Sequence, residues 1–117
     1  MADLILVVSS GKGTWAQASK LIKQEDWSHV FIICNEFGKE KFTCEKPCTY
    51  IIINSFGTVE EIKNKILEDL KGKLKMDIGV NFISGTGKEH MGLCSALFKL
   101  GVGIRLVVAD EVNIKEI

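Results

Sequence analysis

Proline occurs once in the chain, at Pro47, against eleven glycines, so backbone freedom belongs to turns and not to stiff or proline-rich linkers. Net charge is missing as well: 15 basic and 15 acidic residues cancel. That balance gives no general affinity for DNA or for a membrane surface, and any attraction to a polyanion has to be local. No apolar run approaches the roughly 20 residues that span a bilayer. The opening Met1-Ala2-Asp3 lacks the basic segment of a signal peptide, so a cytoplasmic address with no membrane partner is expected. Histidine is scarce, with two residues, and no second closely spaced cysteine pair or suitable histidine completes a zinc set. Neither a metal nor a cofactor is expected.

What is present reads as an ordinary globular composition, 46% hydrophobic and 26% charged. The 117 residues suit one domain spanning the whole chain, with a real core. Of the four cysteines, Cys34 and Cys94 sit in apolar patterns, where a free thiol behaves as a small hydrophobe. Cys44 and Cys48 flank Pro47 in a C-x3-C pair that suits reduced loop thiols, with a metal ligand pair or a loop disulfide as alternatives.

Two glycine-rich turns that carry lysine are the most informative features. Ser9-Ser10-Gly11-Lys12-Gly13-Thr14 follows the apolar run 4–8, and Ser84-Gly85-Thr86-Gly87-Lys88 follows the run 78–83. Each reads as strand, turn, then helix start, an arrangement that offers free N–H groups and a positive helix end to a phosphate. The alternative is that the glycines only make tight turns and the lysines are solvated.

Strands are predicted over 4–9, 29–34, 50–53, 78–83 and 104–108, with 110–117 as a short edge strand or a tail. Helices are predicted over about 14–23, from a Thr58 cap with Glu61 completing a capping box, and over 90–100. The segment 35–49 admits a short helix or a small β excursion. Strands alternating with helices imply parallel β-α-β units: an α/β three-layer sandwich, Rossmann-like, with a mainly parallel five- to six-stranded sheet.

In a doubly wound order 3-2-1-4-5, the first and fourth strands are neighbours, and both turns leave their carboxyl ends at the topological switch point. Topology thereby gathers Ser9, Ser10, Gly11, Lys12, Gly13 and Thr14 with Ser84, Gly85, Thr86, Gly87 and Lys88. The helix predicted after the second turn is apolar nearly all round, which calls for cover on its outer side. A second subunit would supply it; the tail or the 35–49 excursion are the alternatives.

A P-loop is excluded, because position 6 is leucine inside the strand and Gly13 stands where Ser or Thr would hold magnesium. A dinucleotide fingerprint is also missing. The stretches Val7-Val8-Ser9-Ser10-Gly11 and Asp77–Lys88 with Met91 instead resemble the CRISPR-associated Rossmann-fold (CARF) sensor domains of type III CRISPR systems. Their fourth strand leads into a turn similar to G-G-T-K; here Gly87 intervenes between Thr86 and Lys88, and a stand-alone sensor with no effector domain is expected. The resemblance implies a homodimer whose facing crevices bind a cyclic oligoadenylate, tetra-adenylate above all, in antiviral defence. It also implies, for some members, slow metal-free cleavage, with Ser10 positioning the ribose 2′-hydroxyl and Lys88 stabilising the phosphorane. His90 is the only nearby candidate base. The other readings are a mononucleotide-binding Rossmann-like module and a non-catalytic interaction subunit.

Overall fold

The computed structural model describes residues 2–9 and 12–117, with Lys12 described by its backbone alone. Six strands form one sheet: β1 (Asp3–Val8), β2 (Val30–Cys34), β3 (Cys48–Ile52), β4 (Asp77–Asn81), β5 (Gly103–Ala109) and β6 (Ile114–Glu116). The helices are α1 (Trp15–Gln24), α2 (Glu36–Lys41), α3 (Val59–Leu70) and α4 (Gly87–Leu100), with a single 3-10 turn at Lys12–Thr14. The sheet order is β3-β2-β1-β4-β5-β6. All pairings are parallel except β5–β6, which is antiparallel. The chain is α/β, with a mostly parallel sheet and helices on both faces. None of its helices is long and apolar enough to cross a membrane, among the described residues.

Burial follows from strand alternation. On β1, Ile5 and Val7 pack on the face covered by α3 and α4, against Ile62, Ile66, Leu93 and Leu97. Leu4, Leu6 and Val8 pack on the other face, against Trp15, Leu21, Ile22 and Phe42. Both faces are covered, which is why β1 and β2 read as unbroken apolar runs. Central β1 pairs with β2 in the register Leu4↔Val30 and with β4 in the register Leu4↔Gly79.

Several boundaries differ from those predicted. β4 ends at Asn81, two residues short of Ile83, because the Asn81 side chain takes over the strand-end hydrogen bonds. Its Nδ2 donates to the Val107 carbonyl at 2.8 Å, and its Oδ1 accepts from Ile83 N at 3.0 Å. β3 begins at Cys48, paired with Val30, so this cysteine belongs to a strand and not to a loop. The segment 35–49 forms the short helix option: Asn35 Oδ1 caps α2 by accepting from Gly38 N at 2.8 Å. Residues 114–116 take the edge-strand option. α4 begins at Gly87, earlier than His90, because Thr86 and Glu89 form a capping box.

The cover on α4 comes from α3 and not from the tail or the α2 segment. A Cβ on Gly92 would lie 2.8 Å from Ile62 Cγ2, so glycine there permits the close helix contact. Met91 and Phe98 stay exposed on the far side, at 63% and 73%.

The α3 cap supplies a direct test. Thr58 Oγ1 accepts from Glu61 N at 3.1 Å, and Glu61 Oε1 accepts from Thr58 N at 2.8 Å. Hydrogen bonding from Thr58, its backbone N–H first, holds the Glu61 carboxyl below the usual glutamate range. Stability from that bond is therefore full above the unfolded glutamate pKa of about 4.3 and is lost as pH falls through the lower folded value. Thr58→Ala is expected to cost about 0.5–2 kcal/mol in urea unfolding at pH 7. Glu61→Gln should also destabilise at pH 7, and its difference from the parent should shrink towards pH 3.

Candidate functional site

The carboxyl edge of β1 and β4 is held together by a buried carboxylate that none of the sequence patterns above singled out. Glu89, in the first turn of α4, is 1% exposed. Its Oε1 accepts from Ser9 Oγ at 2.8 Å and from Thr86 N at 2.8 Å, and its Oε2 accepts from Ser55 Oγ at 3.2 Å. Thr86 Oγ1 in turn accepts from Glu89 N at 3.3 Å. One side chain thus joins the end of β1, the loop after β3 and the start of α4. Its charge also sits where the helix dipole favours an anion. The sign that could have found it is Thr86-x-x-Glu89, the same box read correctly at Thr58-x-x-Glu61.

Ser9, which opens the first glycine turn, and the second turn come together here, as the neighbouring of β1 and β4 allows. Ser9 is buried at the end of β1, and Gly85 packs directly above Val7. Gly85 has φ +101°, and a Cβ there would fall 2.5 Å from Val7 Cγ1, so only glycine suits the position. Ser84 is buried, and its Oγ has no hydrogen-bond partner among the described residues. Gly87 and Lys88 are the first helical residues of α4, and their N–H groups have no intrahelical acceptor. Lys88 Nζ donates to the Gly57 carbonyl at 2.9 Å, which sets the ammonium over the loop after β3. An ammonium has three donors, so further ones remain for a ligand.

Gly13 lies exposed in the 3-10 turn, and Thr14 precedes α1 without a side-chain capping bond. Met91 is on the outer surface of α4. Ser10 and Gly11 lie outside the described residues, as does the side chain of Lys12. His90 Nε2 is 2.7 Å from the Ser84 carbonyl oxygen. A carbonyl only accepts, so this nitrogen carries the proton and donates.

Beside this junction a cavity of about 470 Å³ opens at the carboxyl ends of β2 and β3, with Ser55 on its wall and Phe56 at its rim. Sequence reasoning missed it because it lies between loops remote in sequence. Three of the thiols, Cys34, Cys48 and Cys94, are held in their protonated form by burial. Burial pushes the Cys34 thiol up to about 12, and burial together with hydrogen bonding to Cys44 pushes Cys48 up to about 11. All four are free thiols, and no cluster of three or more His, Cys, Asp or Glu is placed to hold a metal among the described residues.

Removing the carboxylate should loosen the whole edge. Glu89→Ala strands the buried Ser9 hydroxyl and the Thr86 N–H, at a cost of about 1–3 kcal/mol for a buried donor left unpaired. Glu89→Gln keeps an acceptor oxygen and should cost less. Urea midpoints for the two variants measure the difference, and equal stability of Glu89→Ala and the parent would refute the assignment. No protein-family model matches this chain, and no curated protein does.

Proposed function

We propose that the protein is a Rossmann-like nucleotide sensor that binds a cyclic oligoadenylate, tetra-adenylate above all, at the carboxyl edge of β1 and β4. The observation that carries this reading is the bond from Ser9 Oγ, at the end of β1, to Glu89 Oε1, in the first turn of α4. That bond ties the residue that opens the first turn to the helix that follows the second, which supports one site drawing on both. The free first-turn N–H groups of α4 and the Lys88 ammonium are the natural phosphate donors, and Lys12 belongs to the other turn. Glu89 satisfies its own cap, so phosphate would meet Gly87 and Lys88 and not the whole helix end. Support for the family reading comes from the turn sequence and the doubly wound strand order together.

A two-fold ligand with several phosphates suits a C2 homodimer. Exposed Met91 and Phe98 on α4 are the surface proposed for its interface. Sedimentation at micromolar concentration should give a dimer, and Phe98→Glu should give a monomer of unchanged stability.

The activity proposed is binding, without turnover. Metal-free cleavage needs a proton acceptor for the 2′-hydroxyl. The Ser84 bond uses His90 Nε2 and turns that nitrogen away from the site, leaving Nδ1 as the one unprotonated ring nitrogen, and the Glu89 carboxylate is buried behind Ser9. Titration with cyclic tetra-adenylate should show affinity that falls with salt, and Lys88→Ala should lose about 1.5–3 kcal/mol, the value of a charge-assisted hydrogen bond. Ligand incubated with saturating protein in EDTA should be recovered intact. Products ending in cyclic 2′,3′-phosphate would instead establish a ring nuclease acting through the 2′-hydroxyl. Equal affinity for AMP and the cyclic form would replace the sensor with a mononucleotide-binding module.

A further inference from the structure

We infer that the cavity at the carboxyl ends of β2 and β3 is the seat of a purine base, an inference that rests on the nucleotide reading above. Its chemistry differs from that of the two turns. The lining contains no lysine or arginine and has a carboxylate, Glu36, so it disfavours a phosphate. Ile52 and Ile53 contribute apolar surface, and aromatic rings stand at Phe37 and Phe56. Phe56 is 96% exposed, so its ring face is open to a stacking partner. Every base has a π-face, and stacking on an aromatic side chain is the common way to hold one.

The polar groups point to a heterocycle in preference to a plain hydrocarbon ring. Asn35 Oδ1 accepts from Gly38 N at 2.8 Å, and Asn54 Oδ1 accepts from Phe56 N at 3.0 Å. Both amides are thereby oriented, and their Nδ2 groups have no partner among the described residues. They offer donors to ring nitrogens, while Glu36 offers an acceptor to an exocyclic amine. A volume of about 470 Å³ lies in the range of small-ligand sites and exceeds what a single small ring needs.

Position completes the case. Ser55 lines the cavity and also bonds Glu89, the residue that joins the two turns. The Lys88 ammonium rests on the carbonyl of Gly57, the residue after Phe56. A base stacked at Phe56 therefore puts its sugar-phosphate beside the lysine.

The test uses the full chain with adenosine, cytidine and cyclic tetra-adenylate as probes, read by calorimetry and by methyl NMR of Ile52 and Ile53. Adenosine should shift those methyls and bind more tightly than cytidine. Phe56→Ala should weaken adenosine and cyclic tetra-adenylate alike, by about 5- to 150-fold, and Phe56→Trp should restore both. Lys88→Ala should weaken only the cyclic ligand. If Phe56→Ala leaves cyclic tetra-adenylate binding intact while Lys88→Ala lowers it, the base seat is wrong and the sensor reading stands. If adenosine shifts Ile52 and Ile53 but the cyclic ligand does not bind, the base seat stands and the sensor reading falls. Equal binding of cytidine overturns the purine assignment, and no binding of any probe overturns both.

Discussion

The carboxylate of Glu89 is the constraint on which the carboxyl edge of the sheet depends. A buried charge is tolerated only where hydrogen bonds replace water, and here Ser9, Ser55 and the Thr86 N–H do so. Because those donors come from three separate segments, satisfying one charge fixes the relative positions of three loops. The helix end adds a favourable dipole. The same arrangement limits what the edge can bind, since a carboxylate already occupies part of the anion site that a helix start would otherwise present.

That junction works only on a rigid support. The parallel centre of the sheet is buried on both faces, with Ile5 and Val7 on one side and Leu4, Leu6 and Val8 on the other. Interiors packed in this way are nearly incompressible and hold strand ends in place. Close approaches at glycine reinforce it: Gly85 lies on Val7, and Gly92 lets α4 settle on Ile62 of α3. A side chain at either position would push α4, and Glu89 with it, away from β1.

Charge is divided sharply across the edge. The open N–H groups lie at the β4–α4 turn and the Lys88 ammonium reaches over the Gly57 carbonyl, while the β2–β3 cavity is apolar and amide-lined with a carboxylate at Glu36. A ligand with an anionic part and a neutral aromatic part matches this division, and a simple anion uses only half of it. Zero net charge for the whole chain conceals the contrast, because composition sums over positions that topology separates.

Much of the fold was legible in the residues. Unbroken apolar runs of strand length marked β1 and β2 as doubly covered strands, and the Thr58–Glu61 box marked the start of α3. These signals are local: a strand period, a cap, a glycine turn. The alternation of elements then restricted the strand order enough to make β1 and β4 neighbours. The tertiary structure alone decided the rest. Asn81 ended β4 early by bonding to Val107, 26 residues away, and Thr86 moved the start of α4 to Gly87. Glu89, one position before the predicted helix, drew no reading until Ser9, 80 positions distant, proved to be its partner. Local sequence carries the propensity of each segment, whereas a buried hydrogen bond or a cavity wall exists only once segments far apart in the chain are packed against each other.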